Sequence, residues 1–225
     1  MRKTQIILFI VCLLLLLAAA ACSTNKKQPS GQTENNNERH ILSYAKTDFY
    51  ATGEEIEARA EVIIKATRTS KEDNACNLAS DQQPPHYGYT TSMVQVEEIK
   101  KNTSGQPIKA GDELRILERQ FSYLDGDTIV ICHLNQYKMM EPGREYILYL
   151  YYSQTDDWYV MPGAMQGKIP VSQEEDLLFP ASQATGDGDL PEPEENSQIY
   201  QAMKNIQKYT LEKWEIIRKC IESWD

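Results

Sequence analysis

The sequence is poor in the residues that carry metal and thiol chemistry. It has three histidines and five cysteines among 225 residues. His40, His86 and His133 stand in neither HExxH nor HxH spacing, so metallohydrolase chemistry has no ligand set. Cys76, Cys132 and Cys220 are far apart with no CxxC pair, which excludes the usual structural zinc sites. There is no GxSxG, no phosphate-binding GxxxxGK loop and no GxGxxG, so the common signatures of serine hydrolases, nucleoside triphosphatases and dinucleotide enzymes are missing. Asp187, Gly188 and Asp189 open like a calcium loop. Pro191 then occupies the third ligand position and no glutamate closes the loop, which leaves a solvated acidic linker. The sequence assigns no catalytic residue, no metal ligand and no cofactor.

A basic excess is also lacking. Lys and Arg number 23 against 33 Asp and Glu, a formal charge of −10. If Arg2 and Lys3 leave with a leader, 21 cations remain and the charge becomes −12. Such a surface repels phosphate backbones and anionic headgroups, which argues against nucleic acid as a partner and against electrostatic docking to a membrane.

Long apolar runs are confined to the start of the chain. Arg2 and Lys3 form a positive head, and Ile6 to Leu17 follow without a charge. The run is roughly a dozen residues, whereas a spanning helix needs about 20, so the segment reads as a signal peptide and not as a membrane span. Ala19, Ala20, Ala21 and Cys22 resemble the lipobox of bacterial lipoproteins, with Ala19 where that pattern prefers Leu. The resemblance implies cleavage between Ala21 and Cys22 and transfer of diacylglycerol and palmitate-type acyl chains to the Cys22 thiol. Two or more chains anchor a protein stably, where one binds only marginally. Membrane attachment through Cys22, on the extracytoplasmic face, is the expected address. Lys and Asn usage and a short tether suit a Gram-positive surface.

Residues 1–21 are thus read as the leader and 22–40 as the acylated cysteine with a tether. Ser23 to His40 holds no aliphatic or aromatic residue and cannot bury enough surface to offset its ordering entropy. Residues 41–179 read as one β domain. Glu54 to Ala60 predicts a short helix, and Val62, Ile63 and Ile64 a strand buried on both faces. Tyr89 to Ile99, Leu114 and Ile116 with their polar neighbours, Thr128 to Leu134, Arg144 to Tyr152, Trp158 to Met161 and Lys168 to Val171 continue the pattern. About six short strands between turns predict a mainly β fold, an antiparallel barrel or sandwich.

The segment Arg144 to Tyr152 adds a constraint. Tyr146, Leu148, Leu150 and Tyr152 fall on one face, and Ile147, Tyr149 and Tyr151 on the other, so both faces need cover. A barrel interior covers one. The other needs an added layer, and the C-terminal segment 198–225 supplies a candidate beyond the linker 180–197 with its five acids. Ile199, Met203, Ile206, Thr210, Lys213 or Trp214, Ile217 and Ile221 recur at helical steps and predict an amphipathic helix. It docks on its own barrel or on a partner.

The segments AEVIIKATR, YTTSMVQVEEIKKN, IKAGDELRILE, MEPGREYILYLYY and DWYVMPGAMQGKIPV, in that order, resemble the OB-like β-barrels of netrin-type domains. Such domains occur in tissue inhibitors of metalloproteinases and in bacterial surface proteins. The resemblance implies an OB-like antiparallel barrel over Ala58 to Val171. The inhibitors' activity does not carry over: it needs a free N-terminal cysteine amine held at the domain, and here Cys22 is expected to be acylated and tethered.

The cysteines leave two readings, one disulfide among Cys76, Cys132 and Cys220 with one thiol over, or three buried thiols. Cys132 and His133 are adjacent, but in a strand they point to opposite faces and do not form a thiol–imidazole pair. Tyr149, Tyr151, Trp158 and Tyr159 make a candidate binding platform, or else core and helix contacts. The expectation is a non-catalytic interaction module that binds an envelope protein or a wall polymer. A small ligand at the barrel mouth or the aromatic cluster is the second reading, and an enzyme without a short signature the third.

Overall fold

The computed structural model describes residues 37–77, 85, 87–184 and 193–222, without the side chains of 77, 193–197, 216–218 and 220–222. The leader, Cys22 and its expected cleavage site therefore lie outside the described residues, as do His86 and the side chain of Cys220. The fold is mainly β. Its strands are β1 (Glu38–Ser43), β2 (Val62–Asn77), β3 (Tyr87–Asn102), β4 (Glu113–Glu118), β5 (Gln120–Asp125), β6 (Thr128–Leu134), β7 (Glu145–Ser153), β8 (Trp158–Val160) and β9 (Lys168–Pro170). Two α-helices, α1 (Gly53–Arg59) and α2 (Pro193–Glu222), complete it.

The larger sheet has the order β2-β3-β4-β8-β7-β9, and β2 also pairs with β7. The ladder therefore runs through five strands and returns to its first. Every neighbouring pair is antiparallel except β4 and β8. This is the order of a five-stranded, partly open OB-like barrel. Closure is incomplete at the β4–β8 seam, where only Ile116 with Tyr159 and Leu117 with Val160 are in register. Register shifts at Ile63/Ile64, Lys65/Ala66 and Arg68/Glu72 bend β2 around the barrel.

A second sheet, β1-β6-β5, grows from an insertion between β4 and β7. Gly126, at φ +61°, turns β5 into β6. β1 adds to β6 in parallel, from Glu38 opposite Ile129 to Ser43 opposite Leu134. Glu38, Arg39 and His40, which composition places in the tether, are thus strand. Their partners are some ninety residues away in sequence, so no local pattern announces the pairing.

The two faces of β7 are used as their alternation requires. Tyr146, Leu148 and Leu150 fill the barrel with Val62, Ile64, Val94, Val96 and Ile116. Ile147 and Tyr149 point outward into a second cluster with Ile56, Ile63, Ile169, Ile206 and Trp214. Helix α2 docks on its own barrel through Ala202, Met203, Ile206, Gln207, Thr210 and Trp214, all buried. The Tyr149 hydroxyl meets the Thr210 hydroxyl at 2.8 Å. Burying side chains of this size stabilises by about 1.5–3 kcal/mol each before entropy is counted.

Helix α1 begins at a capping box. The Thr52 side chain accepts from Glu55 N–H, and the Glu55 carboxylate accepts from Thr52 N–H. It sits so close to α2 that a Cβ on Gly53 would lie 2.0 Å from Tyr209 Cδ1. The Tyr209 hydroxyl and the Lys213 ammonium both donate to Glu57 Oε2, fastening the helices together. No helix among the described residues is long and apolar enough to cross a membrane.

Candidate functional site

Three parts of the molecule hold polar groups in unusual settings. The first lies inside the barrel. Arg68, Ser92, Glu118, Tyr137 and Lys168 are all buried. Arg68 faces inward because it continues the Val62, Ile64, Ala66 alternation of β2, and Glu118 because it ends the Leu114, Ile116 alternation of β4. Arg68 donates to Ser92 Oγ at 3.3 Å and to the Glu72 carboxylate. Ser92 donates to Glu118 Oε1, while the Tyr137 hydroxyl at 2.9 Å and Met140 N–H at 2.7 Å donate to Glu118 Oε2.

Lys168 donates to the Lys138 carbonyl and lies 4.8 Å from the centre of the Tyr137 ring. Burial raises the Glu118 carboxyl above its ordinary pKa, against the opposing pull of its donors and of Lys168. Burial likewise lowers the Lys168 ammonium to about 8. The chain of bonds runs from the exposed Glu72 carboxylate through Arg68 into the core, where the Glu118 carboxylate accepts from three donors at once.

The second part joins the small sheet to the C-terminal region. His133 is buried, its Nδ1 donates to the Tyr137 carbonyl at 2.9 Å, and its Nε2 accepts from His40 Nδ1 at 2.9 Å. A neutral His133 with its proton on Nδ1 satisfies both bonds, and burial disfavours the charged ring that would donate at both nitrogens. Its ring stacks on Phe179 with 3.7 Å between centroids. Burial lowers its pKa to about 4. Cys132, on the opposite face of β6, is held up at about 11 by burial, its thiol near Ser43. Cys132 and His133 point apart and form no nucleophilic pair. Cys76 and Cys132 are free thiols, so no disulfide joins them.

The expected aromatic platform is not assembled. Tyr149 and Tyr159 are buried, the first beneath α2 and the second in the barrel core against Tyr152. Trp158 packs edge-on against Tyr89 at 5.1 Å. Tyr151 borders an open cleft. The outward half of β7 is spent on the helix that the sequence required to cover it, which removes Tyr149 from any surface.

That cleft is the third part. Its volume is about 240 Å³, and Lys46, Asp48, Arg59, Arg119 and Tyr151 are among the residues that line it. Arg59 comes from the end of α1 and lies 6.0 Å over the Tyr151 ring. Arg119 occupies the bend between β4 and β5. One wall is the turn Pro162–Ala164, where Gly163 and Ala164 take φ of +63° and +55°. An alanine there is strained, so the turn is fixed from outside.

The facing wall is the loop after β1, clamped at both ends by a carboxamide. Asn135 bonds both N–H and C=O of Ala45 at 2.9 Å. Gln166 bonds both backbone groups of Tyr50, at 2.9 and 2.6 Å. Lys46 to Phe49 arch between the clamps. Sequence reasoning did not reach this site. Lys46, Arg59 and Arg119 are far apart in the chain and each reads as an ordinary surface cation, and only the β1 pairing brings the first of them near the others.

No family model matches the chain, and no curated protein sequence matches it. Among the described residues, no group of three His, Cys, Asp or Glu side chains is placed to hold a metal ion. The class that can be defined is structural: an OB-like, partly open β-barrel with a three-stranded annex and a C-terminal helix.

Proposed function

We propose that this chain is a lipid-tethered extracytoplasmic binding module that acts without catalysis, anchored through acylated Cys22 and engaging an envelope protein or wall polymer with its barrel domain. The observation that carries this reading is the docking of α2. Ile206 and Trp214 of the helix lie on the outer face of β7 and β9, so among the described residues the chain itself supplies the cover for that face. Its ionisable core groups, Glu118, Lys168, His133 and Cys132, are turned inward. What is left for function is the surface.

The anchor is tested by metabolic labelling with a palmitate analogue in a bacterial host. Label is expected on the full chain and lost from Cys22→Ser, which is released to the medium. Unchanged label in that variant overturns the anchor. The binding half is tested by sedimenting the detergent-solubilised full chain with purified cell-wall sacculi or with envelope protein, with bovine albumin as control. Failure to sediment with either overturns the interaction reading. Small-ligand binding is the second reading, and the open cleft beside Tyr151 favours it over the buried aromatic cluster.

A further inference from the structure

The cleft beside Tyr151 concentrates positive charge in an acidic protein. Lys46, Arg59 and Arg119 line it against one carboxylate, Asp48, while the chain as a whole carries −10. None of the three cations takes an ion-pair partner among the described residues. Several cations elsewhere are matched by carboxylates: Lys65 meets Glu97 and Glu145, Arg68 meets Glu72, and Lys138 meets Glu141, while the buried Lys168 donates to the Lys138 carbonyl. Like charges gathered around one concavity raise each other's energy unless an anion joins them.

The walls are also fixed in advance. The carboxamide clamps at Ala45 and Tyr50 hold the loop. Gln166, which holds Tyr50, is buried and lies against Gly163, so one side chain sets both walls. The Tyr151 ring beneath Arg59 orients its guanidinium. A preformed site does not spend binding energy on ordering its loops.

We infer that this cleft is a binding site for a phosphate-type oxyanion. Two guanidinium groups offer planar forks that match phosphate oxygens, the ammonium adds a point charge, and three cations against one acid suit a multiply bonded tetrahedral oxyanion better than a lone carboxylate. The volume of the cleft, about 240 Å³, fits a phosphate group with its nearest substituents and not a large organic ligand. Nothing in this inference requires Cys22 to be acylated, so it stands or falls separately from the anchor.

The test is a ligand titration on the full chain in a nonionic detergent at constant ionic strength, read as melting temperature and by calorimetry. The probes are inorganic phosphate, glycerophosphoglycerol as a phosphodiester, acetate and glycerol. Phosphate or the phosphodiester is expected to raise the melting temperature saturably. Arg59→Gln with Arg119→Gln is expected to weaken binding at least tenfold. Asp48→Asn, which removes the one acid, is expected to tighten it several-fold and serves as an independent variant if the double substitution does not fold.

Tighter binding of the phosphodiester than of phosphate assigns the group to a polymer. Binding to phosphatidylglycerol vesicles but not phosphatidylcholine vesicles assigns it to a lipid headgroup. The inference is overturned if neither phosphate probe saturates, if acetate does as well, or if the folded double variant binds as tightly as the native chain.

Discussion

His40 Nδ1 lies 2.9 Å from His133 Nε2, across the parallel pairing of β1 with β6. With His133 neutral, its Nδ1–H donates to the Tyr137 carbonyl and its Nε2 accepts from His40, and burial disfavours the protonated ring that would donate at both nitrogens. The sign of the pH effect follows. His133 titrates at about 4 in the fold against an ordinary 6.5, so between these values the unfolded chain binds a proton that the native one refuses.

Stability from this group is therefore fully present above pH 6.5 and drains away as the pH falls towards 4. The full contribution is on the order of 3 kcal/mol. Urea unfolding at pH 7 and pH 4.5 should show the loss in the native chain. His133→Asn, which keeps a donor for Tyr137 but does not titrate, should show a smaller one. Equal losses in both would count against the mechanism.

Removing the carboxylate from the barrel core should be among the most damaging single changes. Glu118→Ala leaves Ser92, the Tyr137 hydroxyl and Met140 N–H without their acceptor. A loss of about 3–5 kcal/mol is expected, and a smaller one for Glu118→Gln, which keeps an acceptor oxygen. Denaturant midpoints measured at pH 7 check the order.

Lys168 predicts the opposite end of the pH scale. Its folded value of about 8 lies below the ordinary 10.5, so burial of the ammonium costs stability at neutral pH and the cost is relieved as the pH rises through that window. The native chain should gain stability relative to Lys168→Met between pH 8 and pH 10.5. A stability difference that stays flat across the window would exclude a desolvated lysine.

Gly53→Ala tests the approach of the two helices by its sign. On helix propensity alone the change should stabilise by up to about 1 kcal/mol. A Cβ at that position, however, meets the Tyr209 ring at 2.0 Å, and the ring is held by Glu57. Net destabilisation of about 1–3 kcal/mol is expected, as for other overpacked sites. Tyr209→Ala in the same chain should recover part of it. Thermal melts of the single and double variants decide.

The sequence carried the fold better than the site. The alternation of Tyr146 to Tyr152 required a layer on each side of β7, and the 3.6-residue period from Ile199 to Trp214 supplied one of them; both hold in the structure. Strand β5 was missed because Gln120 to Asp125 has only Phe121, Tyr123 and Leu124 to declare it, and its pairing with β6 depends on the turn at Gly126. The burial of Arg68, Glu118 and Lys168 is not legible in the sequence, since burial of a charge follows from register across strands and leaves no local mark. The cleft depends on three cations from three separate elements, which no spacing rule joins.

Asn74 bears on how the small sheet ends. Its carboxamide accepts from Ser122 N–H and donates to Ser122 C=O, each at 2.8 Å, on the edge of β5 that no strand pairs. One side chain of β2 therefore occupies both backbone groups of Ser122, in the middle of the edge that a further strand would seek. A second molecule must displace Asn74 before it can pair at Ser122, so the middle of the β5 edge resists the stacking by which exposed strands seed fibres. Asn74→Ala would reopen it.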